Sequence, residues 1–153
     1  MQIDKKNILF LGYDNNETIL IKFLRSKGYK VQIEKDKLFK KPKHDLIISF
    51  GYRHIIKQQI LEDKNINIIN LHISFLPWNR GAHPVFWSFY DNTPLGVTIH
   101  LIDKGIDTGP ILFQKKISID PVKYTFRDVY KNLVDEIENL FINNFQKIIS
   151  KKY

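Results

Sequence analysis

Apolar residues in the first half of the chain fall into short blocks with two different periods. Four blocks are apolar throughout or at every second position, which is typical of buried strands. They cover residues 7–11, 29–33, 45–50 and 66–71. Between them, apolar positions recur every three to four residues and predict two helices. The first has a cap at Asn15 or Asn16 and ends at Gly28, and the second covers residues 55–61.

The pattern changes after residue 74. Four residues that interrupt regular structure (Pro77, Gly81, Pro84 and Pro94) predict a loop-rich region around the aromatic run at 86–90. Residues 96–102 and 111–119 alternate and predict two further strands. A long helix follows, because Thr125 and Asp128 match a capping box and one apolar stripe comes after them: Phe126, Val129, Tyr130, Leu133, Ile137, Leu140, Phe141, Phe145 and Ile148.

Strands that alternate with helices predict a parallel sheet. We therefore expect a single α/β domain over residues 1–153, with a Rossmann-like, mostly parallel sheet that has helices on both faces. A short β-hairpin and a long C-terminal helix complete this prediction. Ligands of such sheets bind beyond the carboxyl ends of the strands.

Composition narrows the function classes. The net charge is +8, but only four of the 24 basic residues are Arg, which favours attraction of small anionic ligands over reading of nucleic-acid bases. The chain has no Cys, so disulfides and thiolate chemistry are excluded. The residues after Gly12 do not match a dinucleotide or ATP loop, and the five His lack metal-ligand spacing, so we predict no metal. The absence of a leader or a membrane-length apolar run predicts a cytoplasmic protein.

Two segments carry candidate chemistry. Asn70 and His72 lie two apart near the end of a predicted strand, so their side chains share one face and could donate to a developing oxyanion, provided that the His72 ring is protonated. A polar strand end that bonds its own loop would give the same pattern. The strand that carries His100 runs into a loop with two Asp (Asp103 and Asp107) and two Gly, where a carboxylate could meet an imidazole. That loop could equally be a simple turn between strands.

Together the two segments resemble the formyltransferases that use 10-formyltetrahydrofolate. The shared pattern is Asn-x-His-x-Ser-x-Leu-Pro followed by G-V-T-I-H-x₆-D-x-G-P, and it covers about residues 45 to 119. The family includes glycinamide ribonucleotide transformylase, methionyl-tRNA formyltransferase and the sugar N-formyltransferases. The resemblance implies that Asn70, His72 and Asp107 are catalytic. Asp107 would orient His72, raise the pKa of His72 by its negative charge, and assist removal of the amine proton. His100 would support the three, although His100 could be purely structural.

The resemblance also implies the ligand contacts. One side of the folate's pterin would contact the backbone of Tyr52, Arg53, His54, Ile55 and Ile56. The other side of the pterin would be covered by the loop that contains Asp103, Gly105 and Ile106. The acceptor would meet the loop after the catalytic His, where Ser74, Arg80 and Gly81 are the candidates. Arg80 could instead form a surface ion pair.

The expected activity is formyl transfer to a small amine, foremost a nucleotide-linked aminosugar. Hydrolysis of formyltetrahydrofolate and formylation of glycinamide ribonucleotide are the alternatives within the family, and a non-catalytic folate- or nucleotide-binding module is the alternative outside it. The chain ends after one long helix where tRNA-modifying members continue, which predicts that tRNA is not the acceptor. The exposed-looking aromatic run and the long helix predict a homodimer.

Overall fold

The computed structural model describes residues 7–62, 68–120 and 122–153. Contacts within the chain group these residues into two compact units, which meet in sequence at residues 70 and 71. Unit 1 ends at Asn70 and unit 2 starts at Leu71. The expected single domain stays a prediction.

Unit 1 contains parallel strands and two helices. Its elements are β1 (Asn7–Gly12), α1 (Leu20–Ser26), β2 (Lys30–Glu34), β3 (Leu46–Phe50), α2 (Gln58–Leu61) and the first residues of β4 (Ile68–His72). β1 lies between β2 and β3, and β3 pairs with β4 through Ser49 and Asn70. β1 and β3 are almost entirely buried, which explains why their sequences are continuous apolar runs.

Unit 2 contains an antiparallel pair and two helices. Its elements after β4 are α3 (Pro84–Tyr90), β5 (Leu95–Leu101), β6 (Ile111–Ile117) and α4 (Phe126–Ile149). β5 and β6 form the predicted hairpin, with an irregular register between Ile99 and His100. The apolar stripe of α4 supplies five of the fully buried side chains of this unit: Val129, Leu133, Ile137, Phe141 and Ile148. Each such burial contributes roughly 1.5–3 kcal/mol.

The predicted fold class is confirmed. The structure has parallel strands that alternate with helices, then a β-hairpin and a long final helix. Four details were wrong. Phe126 and Tyr130 of the predicted apolar stripe are exposed, by 52% and 38%. Asn15 and Asn16 do not cap α1, because they form a turn and the helix begins only at Leu20. The second helix is limited to Gln58–Leu61. The aromatic run at 86–90 is helical, since Pro84 at the first helical position starts α3 instead of breaking it. Of the predicted strand at 66–71, residues 66 and 67 lie outside the described residues.

No helix among the described residues combines the length and the apolar character that crossing a membrane requires.

Candidate active site

The site begins at the end of β4, where two polar residues interrupt an apolar strand. Asn70 is half-buried and His72 is 7% exposed. Side chains alternate along a strand, so residues two apart project on the same side. The predicted placement of Asn70 and His72 on one strand is confirmed.

Hydrogen bonds inside unit 2 hold the loop that follows β4. The Ser74 hydroxyl donates to the Trp78 carbonyl at 2.9 Å, and the buried Thr98 hydroxyl of β5 donates to the Ser74 carbonyl at 2.7 Å. Gln114 of β6 donates to the Leu76 carbonyl at 2.7 Å. The hairpin therefore fixes the path of this loop next to the end of β4.

Asp107 is the second part of the site and lies in the loop between β5 and β6. Its carboxylate accepts a hydrogen bond from the Gly81 N–H at 2.7 Å. Oδ2 is 3.6 Å from His72 Nε2, and Oδ1 is 3.4 Å from His100 Nε2. His100 is 1% exposed, and its Nδ1 lies 2.8 Å from the Leu101 carbonyl. Two histidines and one carboxylate thus form a buried cluster in unit 2.

The surroundings of Asp107 favour its ionised form. Burial raises the pKa of this carboxyl, but the hydrogen bond with His100, the charge of His72 and the Gly81 N–H lower it more, and the net result is a pKa of about 2. Asp107 is therefore a carboxylate at neutral pH.

His72 differs from the sequence-based expectation. We expected the charge of Asp107 to raise its pKa. Burial lowers the pKa of His72, and this effect outweighs the opposing effects of Asp107 and of the Asn79 carbonyl. Desolvation of this 7% exposed ring favours the neutral imidazole in the protein without substrate, so a protonated His72 that donates to the oxyanion stays a prediction.

Within unit 1, the predicted folate segment follows β3. Tyr52 is held by its hydroxyl, which donates to the Asp36 carbonyl at 2.8 Å and accepts from the Leu38 N–H at 3.1 Å. Arg53 and His54 line a cleft of about 320 Å³ at the carboxyl ends of β1 and β3. Ile55 is 75% exposed and Ile56 is buried.

Within unit 2, the second predicted folate segment is a compact turn. Asp103 Oδ1 accepts from the Gly105 N–H at 3.0 Å and from the Thr108 hydroxyl at 2.6 Å. These bonds leave Ile106 at the surface, 61% exposed. The Asp103 side chain thus shapes the loop, and any ligand contact here falls to the backbone and to Ile106.

The three predicted acceptor residues have different environments. Ser74 is 1% exposed and its hydroxyl donates within the loop, so its contact with the acceptor stays a prediction. The Gly81 N–H serves Asp107. Arg80 is exposed and forms no salt bridge with the described residues, so the predicted alternative of a surface ion pair has no partner there.

Sequence reasoning missed Asn79 as a functional candidate. Its carbonyl lies 3.1 Å from His72 Nε2. The contact belongs to a backbone atom, so the residue type gave no signal for it.

Among the described residues, no cluster of three His, Asp or Glu side chains has the arrangement of a metal site.

A family model described as "Formyl transferase" matches residues 4–145. The chain belongs to this family. In sequence, the chain is 44% identical over 80 residues to a methionyl-tRNA formyltransferase of Thermodesulfovibrio yellowstonii, a match that covers 52% of the chain and 25% of that protein. It is 32% identical over 111 residues to the dTDP-4-amino-4,6-dideoxyglucose formyltransferase of Mycobacterium bovis, which covers 72% of the chain and 46% of that protein. The chain therefore spans less than half the length of these relatives.

Solved structures show the same fold. The formyltransferase PseJ from Anoxybacillus kamchatkensis, in complex with UDP-4,6-dideoxy-4-formamido-L-AltNAc and tetrahydrofolate, is 43% identical, with a TM-score of 0.85 over 93% of this chain and 76% of its own. A likely sugar N-formyltransferase from Mycobacterium tuberculosis is 25% identical, with a TM-score of 0.82 over 97% of this chain and 69% of its own. The predicted family resemblance and the predicted fold class are confirmed.

Proposed function

We propose that this chain transfers the formyl group of 10-formyltetrahydrofolate to the amino group of a nucleotide-linked aminosugar. The observation that carries the proposal is the position of Asp107, a carboxylate that lies 3.6 Å from His72 and 3.4 Å from His100. The similarity to PseJ, which binds a UDP-linked 4-formamido sugar and tetrahydrofolate, supports this choice of acceptor and donor.

His72 acts first as a base in this proposal. Its Nε2 faces the Asn79 carbonyl, which can only accept a hydrogen bond, so the neutral ring carries its proton on Nε2 and has a lone pair on Nδ1. The amine of the acceptor attacks the formyl carbon, and the carbonyl electrons move to oxygen. Nδ1 takes the proton that the amine nitrogen loses. The oxyanion then returns its electron pair to re-form the C=O bond, the C–N10 bond breaks, and Nδ1 gives the proton to N10 of the folate.

Asn70 and Asp107 stabilise the charges that develop in these steps. The Asn70 amide donates to the oxyanion, and a preorganised donor of this kind contributes about 3–4 kcal/mol. Asp107 stays ionised, stabilises His72 while the ring is protonated, and assists removal of the amine proton. His100 is a positioning residue: its Nε2 lies 3.4 Å from the Asp107 carboxylate, and its ring stands edge-on to the His72 ring, with ring centroids 6.3 Å apart.

The donor contacts come from the family resemblance. In unit 1 we assign the pterin to the backbone of Tyr52, Arg53, His54, Ile55 and Ile56. The Tyr52 hydroxyl, bonded to the segment at 36–38, keeps the start of this stretch in place. In unit 2 we assign donor contacts to Asp103, Gly105 and Ile106, where the bonds of Asp103 hold the turn.

The acceptor contacts rest on the loop after β4. Arg80 is the candidate for a phosphate of the nucleotide, because a guanidinium forks onto phosphate oxygens and this one has no salt-bridge partner among the described residues. Gly81 contributes by placing Asp107. We further propose cytoplasmic localisation, where a folate donor and a nucleotide sugar would both be found.

The test is incubation of the chain with 10-formyltetrahydrofolate and a set of amines, with mass spectrometry of the product and absorbance of the released tetrahydrofolate. The acceptors are UDP- and dTDP-linked aminosugars, glycinamide ribonucleotide and methionyl-tRNA, with a reaction that lacks acceptor beside them. We expect a formamide on a nucleotide-linked sugar. His72→Ala is the inactive reference, and His44→Ala controls for loss of an imidazole in unit 1.

Four other results would contradict the proposal, and each would indicate a different function. Tetrahydrofolate release without an acceptor would make the chain a hydrolase. A formamide on glycinamide ribonucleotide or on methionyl-tRNA alone would overturn the sugar assignment. Folate binding without turnover would make the chain a binding module.

A further inference from the structure

The backbone of Asn79 is the hydrogen-bond partner of the His72 ring. Its carbonyl lies 3.1 Å from Nε2, and the Asp107 carboxylate lies 3.6 Å from the same nitrogen. Both neighbours of Nε2 are acceptors, so the proton of a neutral ring belongs on Nε2. Which ring nitrogen carries the proton decides which nitrogen can act as a base.

The Asn79 side chain locks the position of this carbonyl. Nδ2 donates one hydrogen to the Ser88 hydroxyl at 2.7 Å and the other to the Thr93 hydroxyl at 2.6 Å. Ser88 is 3% exposed and donates its own hydrogen to the Pro84 carbonyl, so its oxygen is oriented to accept. Both amide hydrogens are therefore committed, one to α3 and one to the segment before β5.

The backbone at Asn79 adds a second constraint. Its φ of 55° lies in the left-handed region, which Asn tolerates better than most residues. This conformation turns the carbonyl toward β4 while the amide points toward α3. A side chain without two donors would leave the same backbone free to relax.

We infer that Asn79 is a positioning residue that fixes His72 in the Nε2–H tautomer and so keeps Nδ1 free to accept a proton. The Asn79 side chain acts indirectly, by holding the backbone carbonyl of Asn79 in place. The catalytic consequence rests on the proposed function, whereas the tautomer follows from the geometry of unit 2 alone. The NMR measurement below tests the tautomer, and the kinetic measurement tests the catalytic consequence.

The first measurement is ¹⁵N NMR of the histidine rings in the full chain, because the two nitrogens have distinct shifts in each tautomer. His72→Gln assigns the His72 signals. At a pH above the His72 titration, the native chain should show a protonated Nε2 and an unprotonated Nδ1. Asn79→Gly keeps the left-handed backbone accessible and removes both amide donors, and it should give signals averaged over the two tautomers.

Asn92→Gly is the matched control. Asn92 also has a left-handed backbone, with a φ of 50°, and its side chain is exposed. The same substitution there should leave the His72 signals as they are in the native chain. If Asn92→Gly averages the His72 signals as strongly as Asn79→Gly does, then any such substitution in this region disturbs the ring, and the inference is overturned.

Steady-state kinetics supply the second measurement. Asn79→Gly should lower kcat about 10- to 100-fold, the range seen when a histidine in a metal site loses the partner that orients it. The KM for the folate should stay near the native value, since the change misplaces a proton and not a substrate. A fully native tautomer signal in Asn79→Gly would refute the inference, even if formyl transfer had been observed.

Thr93→Val provides a second variant for the case in which Asn79→Gly does not fold. It keeps Asn79 and removes one of the two acceptors of its amide. We expect averaging in the same direction but smaller. Unchanged His72 signals in a folded Thr93→Val chain would overturn the inference by this route. If no formyl acceptor is found, the NMR comparison still decides the tautomer.

Discussion

Asp107 connects three parts of unit 2 through one carboxylate. The N–H of Gly81 in the loop after β4, the His72 ring at the end of β4 and the His100 ring of β5 all face it. Its backbone has a φ of 51°, so the chain turns sharply at this residue and directs the carboxylate inward. The cluster explains how a short loop can place one charge accurately beside the proposed base.

Truncation of the proposed catalytic residues is the first prediction. Asn70→Ala, His72→Ala and Asp107→Ala should each reduce the rate of formyl transfer at least about 100-fold, because each removes an oxyanion donor, a base or the charge that supports the base. The measurement is kcat with the aminosugar that the acceptor screen identifies. His44→Ala should stay within a few-fold of the native chain. A His72→Ala chain that also stays within a few-fold would contradict the mechanism.

Arg80 gives the second prediction at this scale. Arg80→Ala should weaken binding of the nucleotide sugar about tenfold or more, since a charge-assisted bond to phosphate contributes about 1.5–3 kcal/mol. Folate affinity should be nearly unchanged. Calorimetric titration with each ligand measures both. Arg127→Ala, an exposed arginine on α4, is the matched control. Equal loss of both affinities in Arg80→Ala would mean that Arg80 supports the fold of its loop.

Among the elements, α4 has the best-defined start. The Thr125 hydroxyl accepts from the Asp128 N–H at 3.2 Å, and the Asp128 carboxylate accepts from the Thr125 N–H at 2.9 Å, which is the predicted capping box. The third prediction is that Thr125→Ala lowers the free energy of unfolding by about 1 kcal/mol.

Urea denaturation measures this loss, and Ser150→Ala is the control. Ser150 lies at the other end of α4, and its hydroxyl donates to carbonyls of the last turn, where no N–H depends on it. We expect a loss of only a few tenths of a kcal/mol there. Equal losses of unfolding free energy in Thr125→Ala and Ser150→Ala would show that the capping box does not stabilise α4 more than the Ser150 hydroxyl does.

The elements that the sequence predicted well are those in which one local pattern decides the structure. The continuous apolar runs of β1 and β3 and the capped stripe of α4 are of this kind. α3 was missed because Pro84 and the aromatic run resemble a loop, whereas Pro at the first turn and the buried Val85 and Ser88 make a helix. The misplaced start of α1 has a similar origin, since Asp14 and Thr18, not the neighbouring asparagines, bond the backbone there.

The same distinction applies to the site. Asn70, His72 and Asp107 could be proposed because their residue types and order match a known family. The lowered pKa of His72 could not, since it depends on burial that residues distant in sequence create. The contact from the Asn79 carbonyl was equally hidden, because it depends on a left-handed backbone.

At the scale of the whole molecule, the charge of Asp107 makes stability depend on pH. Its folded pKa of about 2 is below the ordinary value of 3.8. The unfolded chain therefore binds this proton first as the pH falls, and the stabilisation that is complete above pH 3.8 is lost toward pH 2. The fourth prediction is that the native chain loses about 2 kcal/mol of unfolding free energy from this group between pH 5 and pH 2.

Comparison with Asp107→Asn isolates this effect. Asp14, Glu17 and Asp128 also have lowered pKa values and titrate in the same range, but they are present in both chains and cancel in the difference. Denaturation at pH 5 should show Asp107→Asn less stable than the native chain, and at pH 2 the gap should close. A gap that stays constant would mean that Asp107 is not ionised in the folded chain.

The aromatic side chains of α3 lead to the fifth prediction, which concerns self-association. Phe86, Trp87 and Tyr90 contact one another, with ring centroids 5.2 to 5.9 Å apart, yet they are 48%, 42% and 73% exposed. A cluster of large rings in water is unfavourable, and clusters of this kind mark interaction sites. We expect two copies of this chain to bury it against each other as a homodimer.

Light scattering should give twice the mass of the chain, and Trp87→Lys should give the single mass because it places a charge in the contact. Phe39→Lys, which changes a 72% exposed ring of unit 1, should leave the dimer intact. A native chain that remains monomeric at high protein concentration would contradict the dimer, and a dimer that survives Trp87→Lys would place the contact elsewhere than on α3.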